Sequence, residues 1–417
     1  MTNAIPWEQL EPTWRDKIQR TSNVAQTPYW IAPQDQLALS ETLRSAQYPL
    51  LICGNGSKLH WGGLVKQPLE LVVSTQNLNR VVAHATGDLT LTVEAGVKLA
   101  DLQQILRKEG QFLPLDPAYP DTATIGGIIA TADSGSWRQR YGGVRDLLLG
   151  VTFVRADGTI AKAGGRVVKN VAGYDLMKLF TGSYGTLGVI SEVTLRLYPV
   201  PEASTTFILT GDSEAIAQAS RSIFYSNLTP TVFDLISAFL VEKLEIGKGT
   251  GLILRCQTIA PSVLAQSEQL KNLAHELNLS YQTYQDDAEV NLWQQLAKIT
   301  SNTFDSSAIS CKIGILPQCA HDFLQICPDE SLVTIHLGSG LGKLILNQVN
   351  STTQVEQLRL ACQQRQGFLT ILGAPNIYKE NMDVWGYTGN ALTLMEKIKH
   401  QFDPHSLLNP GRFLGKI

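Results

Sequence analysis

No run of about 18 apolar residues occurs in this 417-residue sequence, so no bilayer-spanning helix is encoded. Charge is scarce: 17% of residues are charged, and 34 Lys and Arg against 37 Asp and Glu leave a net charge of −3. That balance argues against a nucleic-acid binder working through a basic surface. Close cysteine pairs are missing. Cys53, Cys256, Cys311, Cys319, Cys327 and Cys362 form no C-x-x-C, whereas ferredoxin-type clusters and structural zinc sites usually need such pairs. They read as reduced thiols in a cytosolic core. The first residues, Met1 to Trp7, have neither a basic start nor an apolar stretch, so the expected address is cytoplasmic. With 34 Gly and 18 Pro and no repeat or low-complexity tract, a collagenous or disordered chain is excluded.

What is present is a long alternation of strand and helix signals, enough for two to three domains. Residues 1–24 carry Trp7 and Trp14 in an expected amphipathic helix, a leader packed on the main body. Residues 25–200 are glycine-dense. Leu50 to Cys53 and Leu71 to Val73 read as buried strands, Leu89 to Ala95 as a period-two strand, and Leu99 to Leu106 as a helix face before Gly110. Leu78, Val81, Val82 and Ala85 fall at helical spacing. Val151 to Val154 leads into the turn at Ala156 to Thr159, and Val189 to Leu197 closes the region. Pro199-Val200-Pro201 marks a boundary. Residues 201–390 form a second domain, with helices at 215–223 and 263–277, strands at 332–336 and 343–346, and a glycine-rich hairpin at 338–342. Residues 391–417 are a separate tail with a helix from Leu392 to Phe402.

Chemistry is suggested by three loops of small residues. Cys53-Gly54-Asn55-Gly56-Ser57-Lys58-Leu59-His60-Trp61-Gly62-Gly63 follows a buried strand, and its backbone amides can approach phosphate oxygens closely. It is not a dinucleotide fingerprint, because the last Gly of G-x-G-x-x-G is Leu59, and no Walker A occurs. The second loop runs Asp116-Pro117-Ala118-Tyr119-Pro120-Asp121 into Thr122 through Gly135, and the third is Gly182-Ser183-Tyr184-Gly185-Thr186-Leu187-Gly188. Three such loops suit a long, extended ligand better than one phosphate.

These loops, together with Gly165 to Leu176, Arg140-Tyr141-Gly142, Arg145-Asp146 and the terminal Asn409-Pro410-Gly411-Arg412, resemble the FAD-binding domain of the vanillyl-alcohol oxidase, or PCMH-type, flavoproteins. Within that family the run is most similar to the FAD-binding (E-type) subunits of glycolate oxidases. The resemblance is strong over residues 30–200, only topological over 201–390, and returns at 400–413. It implies an α+β fold: a two-subdomain FAD-binding domain followed by an α/β cap, with the tail returning to the FAD domain. It also implies that Gly54, Asn55, Gly56, Ser57, Lys58 and Leu59 cradle the pyrophosphate, with Lys58 as the cation. Pro117, Thr124, Gly126, Gly127, Ala130, Thr131 and Ser134 fall to the phosphate–ribityl stretch, Gly188 and Ile190 to the adenosine part, and Asn409 to the ring region. Asn55, Ser57 and Lys58 occupy the stretch where some relatives carry an attaching His, so the FAD is expected to be non-covalent.

By the same resemblance the activity is oxidation of glycolate or a related 2-hydroxy acid by hydride transfer, in a complex with a catalytic flavoprotein subunit and an iron–sulfur subunit, membrane-peripheral through those partners. Catalytic relatives carry a two-His cap motif; the matching segment, Thr334 to Gly340, has only His336 and no acidic partner within it. His336 is the candidate base, with Lys169 or Arg412 for the substrate carboxylate, and no metal site is expected. A non-catalytic FAD-binding or assembly subunit and a stand-alone D-2-hydroxy-acid dehydrogenase are the alternatives.

Overall fold

The computed structural model describes residues 4–22, 28–166, 173–301, 308–347 and 352–417. The chain divides into two units. The first combines Met1–Gly135, Gly142–Val200 and Lys379–Ile417; the second combines Ser136–Tyr141 and Pro201–Tyr378.

In the first unit, the apolar runs Tyr29–Ile31, Leu71–Ser74 and Leu50–Cys53 form a parallel three-stranded sheet with Leu71–Ser74 in the centre. Parallel strands are covered on both faces, which is why these read as continuous rather than alternating hydrophobic runs. An antiparallel five-stranded sheet follows in the order Val81–Ala85, Thr90–Glu94, Val189–Arg196, Leu148–Val154 and Ile160–Gly164. The helices Leu99–Arg107 and Ile125–Thr131 contribute Leu102, Leu106, Ile128 and Ile129 to its core. Gly158, at φ +80°, makes the turn between the last two strands in that sheet order, Leu148–Val154 and Ile160–Gly164.

Residues 78–85 correct the sequence reading. Val81–Ala85 is an edge strand, not part of a helix. Only Leu78 of the apolar spacing is in a core; Val81 and Val82 are exposed, and the strand is held by its ladder to Thr90–Glu94. The leader is also subdivided. Trp7 lies in a short 3-10 turn, and the helix is Pro12–Gln19, begun by proline at its first position. It buries Trp14 and Ile18 against Trp30, Leu51 and Leu59.

The second unit is built on an eight-stranded sheet in the order Ser280–Tyr284, Ala203–Gly211, Thr250–Thr258, Val232–Ile236, Ser331–His336, Leu341–Leu346, Ile309–Gly314 and Phe368–Gly373. Helices alternate with the strands along the chain, but every ladder is antiparallel. The helix Asp286–Ser301 places Leu292 and Leu296 against Ile208, Ile236 and Ile253 of the sheet. The turn between Ser331–His336 and Leu341–Leu346 is tight: at Gly340, φ +70°, an added Cβ would lie 1.8 Å from the Ile315 carbonyl oxygen.

The chain rejoins the first unit at Lys379 rather than at 391. Lys379 Nζ donates to the carbonyl oxygens of His60 and Gly62, which ties this stretch to the first glycine loop.

Candidate functional site

The strand Leu50–Cys53 delivers the first glycine loop. Gly54 meets the second loop so closely that an added Cβ would lie 2.1 Å from Thr124 Oγ1. Asn55 Nδ2 reaches the Thr122 carbonyl at 3.3 Å. Thr124 caps the helix Ile125–Thr131, accepting the Gly127 N–H at 3.3 Å. The third loop is pinned to that helix: Gly182 N–H donates to Ile129 O at 2.9 Å and Tyr184 N–H to Ala130 O at 2.8 Å. Asn409 locks the tail into the same place. Its Oδ1 accepts the Ile52 N–H at 2.6 Å and its Nδ2 donates to Tyr184 O at 2.6 Å. Gly185 has no room for a side chain, since a Cβ there would lie 2.7 Å from Asn409 Nδ2.

Together these segments wall a cleft within the first unit. Its lining holds Gly54, Asn55, Gly56, Ser57, Lys58, Leu59, Thr124, Gly126, Gly127, Ala130, Thr131, Gly188, Ile190 and Asn409, all expected from the sequence. Ile52, Cys53, Thr75, Tyr184, Gly185 and Val189 also line it and were not singled out. The signal for Tyr184 and Gly185 was present in the third small-residue loop; Thr75 carried none. Pro117 and Ser134 stand outside the lining. Ser134 Oγ is turned to accept the Val144 N–H at 3.3 Å, and the Ala118 amide beside Pro117 donates to Asp133 at 2.9 Å. Ser134 thus ties the second loop to the short helix Val144–Leu147.

The electrostatics differ from a bare cation facing an anion. Lys58 is buried, and its ammonium lies 2.7 Å from Asp133 Oδ2. Burial lowers its pKa, and Asp133 opposes that. Arg412 also lines the cleft, donating to Gly63 O at 2.9 Å, and burial pushes it down to about 10. No carboxylate is among the groups that act on it. Burial pushes the Cys53 thiol up to about 12, so it is no nucleophile at neutral pH.

Glycines whose Cβ positions are already filled, a lining of loop backbone and a buried guanidinium make a cradle suited to an extended anionic cofactor such as FAD. His60 takes no part in the lining; its Nε2 lies 3.1 Å from the Tyr119 hydroxyl.

The second unit holds the other candidate. In the sheet, Asp234 of Val232–Ile236 is the register partner of His336. His336 Nδ1 lies 2.7 Å from Asp234 Oδ1, and Asp234 Oδ2 accepts the Ser136 hydroxyl at 2.5 Å. Asp234 is fully buried. His336 therefore has an acidic partner after all, supplied by the neighbouring strand rather than by its own segment. An ionised carboxylate can only accept, so in this pair Nδ1 carries a proton. Of the other catalytic candidates, Arg412 belongs to the cleft of the first unit, and Lys169 lies outside the described residues. Among the described residues no group of three His, Cys, Asp or Glu side chains could hold a metal ion. No described helix is long and apolar enough to cross a membrane.

Comparison with known proteins agrees with the cleft. Residues 28–164 match the FAD binding domain family. The chain is 26% identical to glycolate oxidase subunit GlcD of Bacillus subtilis, over 93% of this chain and 88% of that one. It is 28% identical to D-2-hydroxyglutarate dehydrogenase of Xanthomonas citri, over 84% and 81%. To glycolate oxidase subunit GlcE of Escherichia coli it is 28% identical, over 89% and 95%. The fold is shared with 4-ethylphenol oxidase from Gulosibacter chungangensis, at TM-score 0.71 and 15% identity, over 96% of this chain and 92% of that one. Fold, cleft and relatives converge: residues 28–164 are an FAD-binding domain, and the chain is an FAD-dependent oxidoreductase similar along most of its length to glycolate oxidase subunits.

Proposed function

We propose that the chain oxidises glycolate or a related small 2-hydroxy acid, using non-covalent FAD, as one subunit of a multi-subunit assembly. The observation that carries this reading is the buried Asp234 carboxylate bonded to His336, in a chain whose other unit bears the FAD-binding domain. Relatives named for glycolate and D-2-hydroxyglutarate, matched along most of their length, support the substrate class.

Bound FAD supplies the hydride acceptor. The glycine loop 54–59 and the residues from Thr124 to Thr131 hold it through backbone amides, and Asn409 fixes the tail beside it. His336 is the candidate base for the hydroxyl proton, and Asp234, bonded to its Nδ1, holds the ring in place. Arg412 serves the cofactor rather than the substrate carboxylate. Electrons leave through a partner, a catalytic flavoprotein subunit or an iron–sulfur subunit, on the cytoplasmic side.

An anaerobic absorbance spectrum of the purified chain, before and after glycolate, D-lactate or D-2-hydroxyglutarate, tests this. Bleaching of the visible flavin band is expected. The single His of residues 334–340 favours a second reading, an FAD-holding subunit without turnover. A flavin band that no 2-hydroxy acid bleaches, alone or in the assembly, would select it.

A further inference from the structure

We propose that the helix Pro12–Gln19 is a cofactor clamp: Lys17 fixes the glycine loop 54–59 in its FAD-holding conformation, so that docking of this helix and FAD binding are thermodynamically linked. The proposal rests on the assignment of the cleft to FAD. The helix precedes the residues matched by the FAD-binding domain, 28–164.

The helix grips the loop at both ends. At one end Lys17 Nζ donates to the Asn55 carbonyl at 3.0 Å, its stem lying along Trp14, whose ring centroid is 4.7 Å from the ammonium. At the other end the Thr21 hydroxyl, just past the helix, lies 3.0 Å from the Leu59 carbonyl. Between them Gly56, at φ +72°, has its back to the helix: an added Cβ would lie 3.0 Å from both Lys17 Cδ and Trp14 Cζ3. Underneath, Trp14 and Ile18 share one apolar cluster with Leu59.

The consequence follows from peptide geometry. In a planar trans peptide the C=O of one residue and the N–H of the next point in opposite directions. With the Asn55 carbonyl turned to Lys17, the Gly56 N–H is directed away from the helix, toward the side on which the loop lines the cleft. Thr21, whose hydroxyl also lies 2.9 Å from the Lys17 carbonyl, ties the far end of the loop to the helix. Lys17 and Trp14 are not in the cleft lining, so they act through the loop backbone and not by touching the cofactor. Lys17 is thus a positioning residue. By reciprocity, a helix that strengthens FAD binding is itself held more firmly when FAD is bound.

The test titrates the full-length apo chain with FAD, following flavin fluorescence, for wild type, Lys17→Met, Lys17→Arg and Gly56→Val. Met keeps the stem packed on Trp14, and the unfolding temperature of the apo protein reports whether the fold is retained. Lys17→Met is expected to weaken FAD roughly tenfold, the loss of one charged hydrogen bond, and Lys17→Arg to recover most of it. Hydrogen exchange of the amides in Pro12–Gln19 is expected to slow when FAD is added. Gly56→Val is expected to abolish binding. If Lys17→Met stays within about twofold of wild type while Gly56→Val abolishes binding, the clamp is refuted and the cleft assignment stands. Unchanged binding in Gly56→Val refutes the cleft assignment, and the clamp with it.

Discussion

Lys379 is a cation placed where a cation is costly. It is 5% exposed, its ammonium hydrogen-bonded to the carbonyls of His60 and Gly62. Burial, with the nearby Arg412 charge, brings its pKa from the ordinary 10.5 down to about 7. The folded chain therefore binds fewer protons at this site than the unfolded chain between pH 7 and 10.5. Stability must rise with pH through that window and carry the full cost of charging below pH 7. The whole shift corresponds to about 5 kcal/mol, of which about 2 kcal/mol is recovered between pH 7 and 9. Lys379→Met removes the titration. The free energy of unfolding of wild type should gain about 2 kcal/mol on that of the variant from pH 7 to pH 9. Urea unfolding of both apo proteins across this range, followed by tryptophan fluorescence, measures the difference. A wild-type–variant difference that stays flat, or moves the other way, would refute the reasoning.

Two further outcomes are expected. Gly54→Ala puts a Cβ where Thr124 Oγ1 already lies, 2.1 Å away, so the first and second loops must part. The purified protein should lose most of its flavin, and a full flavin-to-protein ratio would show that the loop does not hold it. Asp234→Asn replaces the acceptor-only carboxylate beside His336 Nδ1 with an uncharged amide that can accept or donate. Turnover with a 2-hydroxy acid should fall roughly a hundredfold with flavin content unchanged, and the pH–rate profile should shift; wild-type kcat and profile would exclude the pair from proton transfer.

Local pattern made much of this molecule readable. Leu50 to Cys53 and Leu71 to Val73 are strands because short β-branched and leucine runs between breakers have few other uses, and Pro199-Val200-Pro201 stops one unit where the other begins. The glycine loops announced themselves because close backbone approach excludes side chains, a constraint visible in composition. What was not readable is what strand pairing and burial add. Asp234 is 102 residues from His336, and only the sheet register makes them neighbours. Lys58 looked like an open phosphate ligand because nothing local to it shows Asp133. Val81 and Val82 mimicked a helix face because an exposed edge strand need not alternate. The anchoring of Lys379 and Lys17 to loop carbonyls has no sequence signature at all, since a carbonyl acceptor is the same at every residue.

The tie made by Asn409 has a consequence for how the protein is made. Asn409 and Arg412 complete the cofactor cleft, yet in chain order they follow the whole of Pro201–Tyr378. During vectorial synthesis the glycine loops emerge early and wait, with the Ile52 amide and the Tyr184 carbonyl still lacking the Asn409 side chain that joins them. The second unit, contiguous but for Ser136–Tyr141, has most of its sheet available before the first can close. A chain that stops short of Asn409 therefore leaves the Ile52 amide and the Tyr184 carbonyl without the side chain that joins them, and the cleft without Asn409 and Arg412 in its lining.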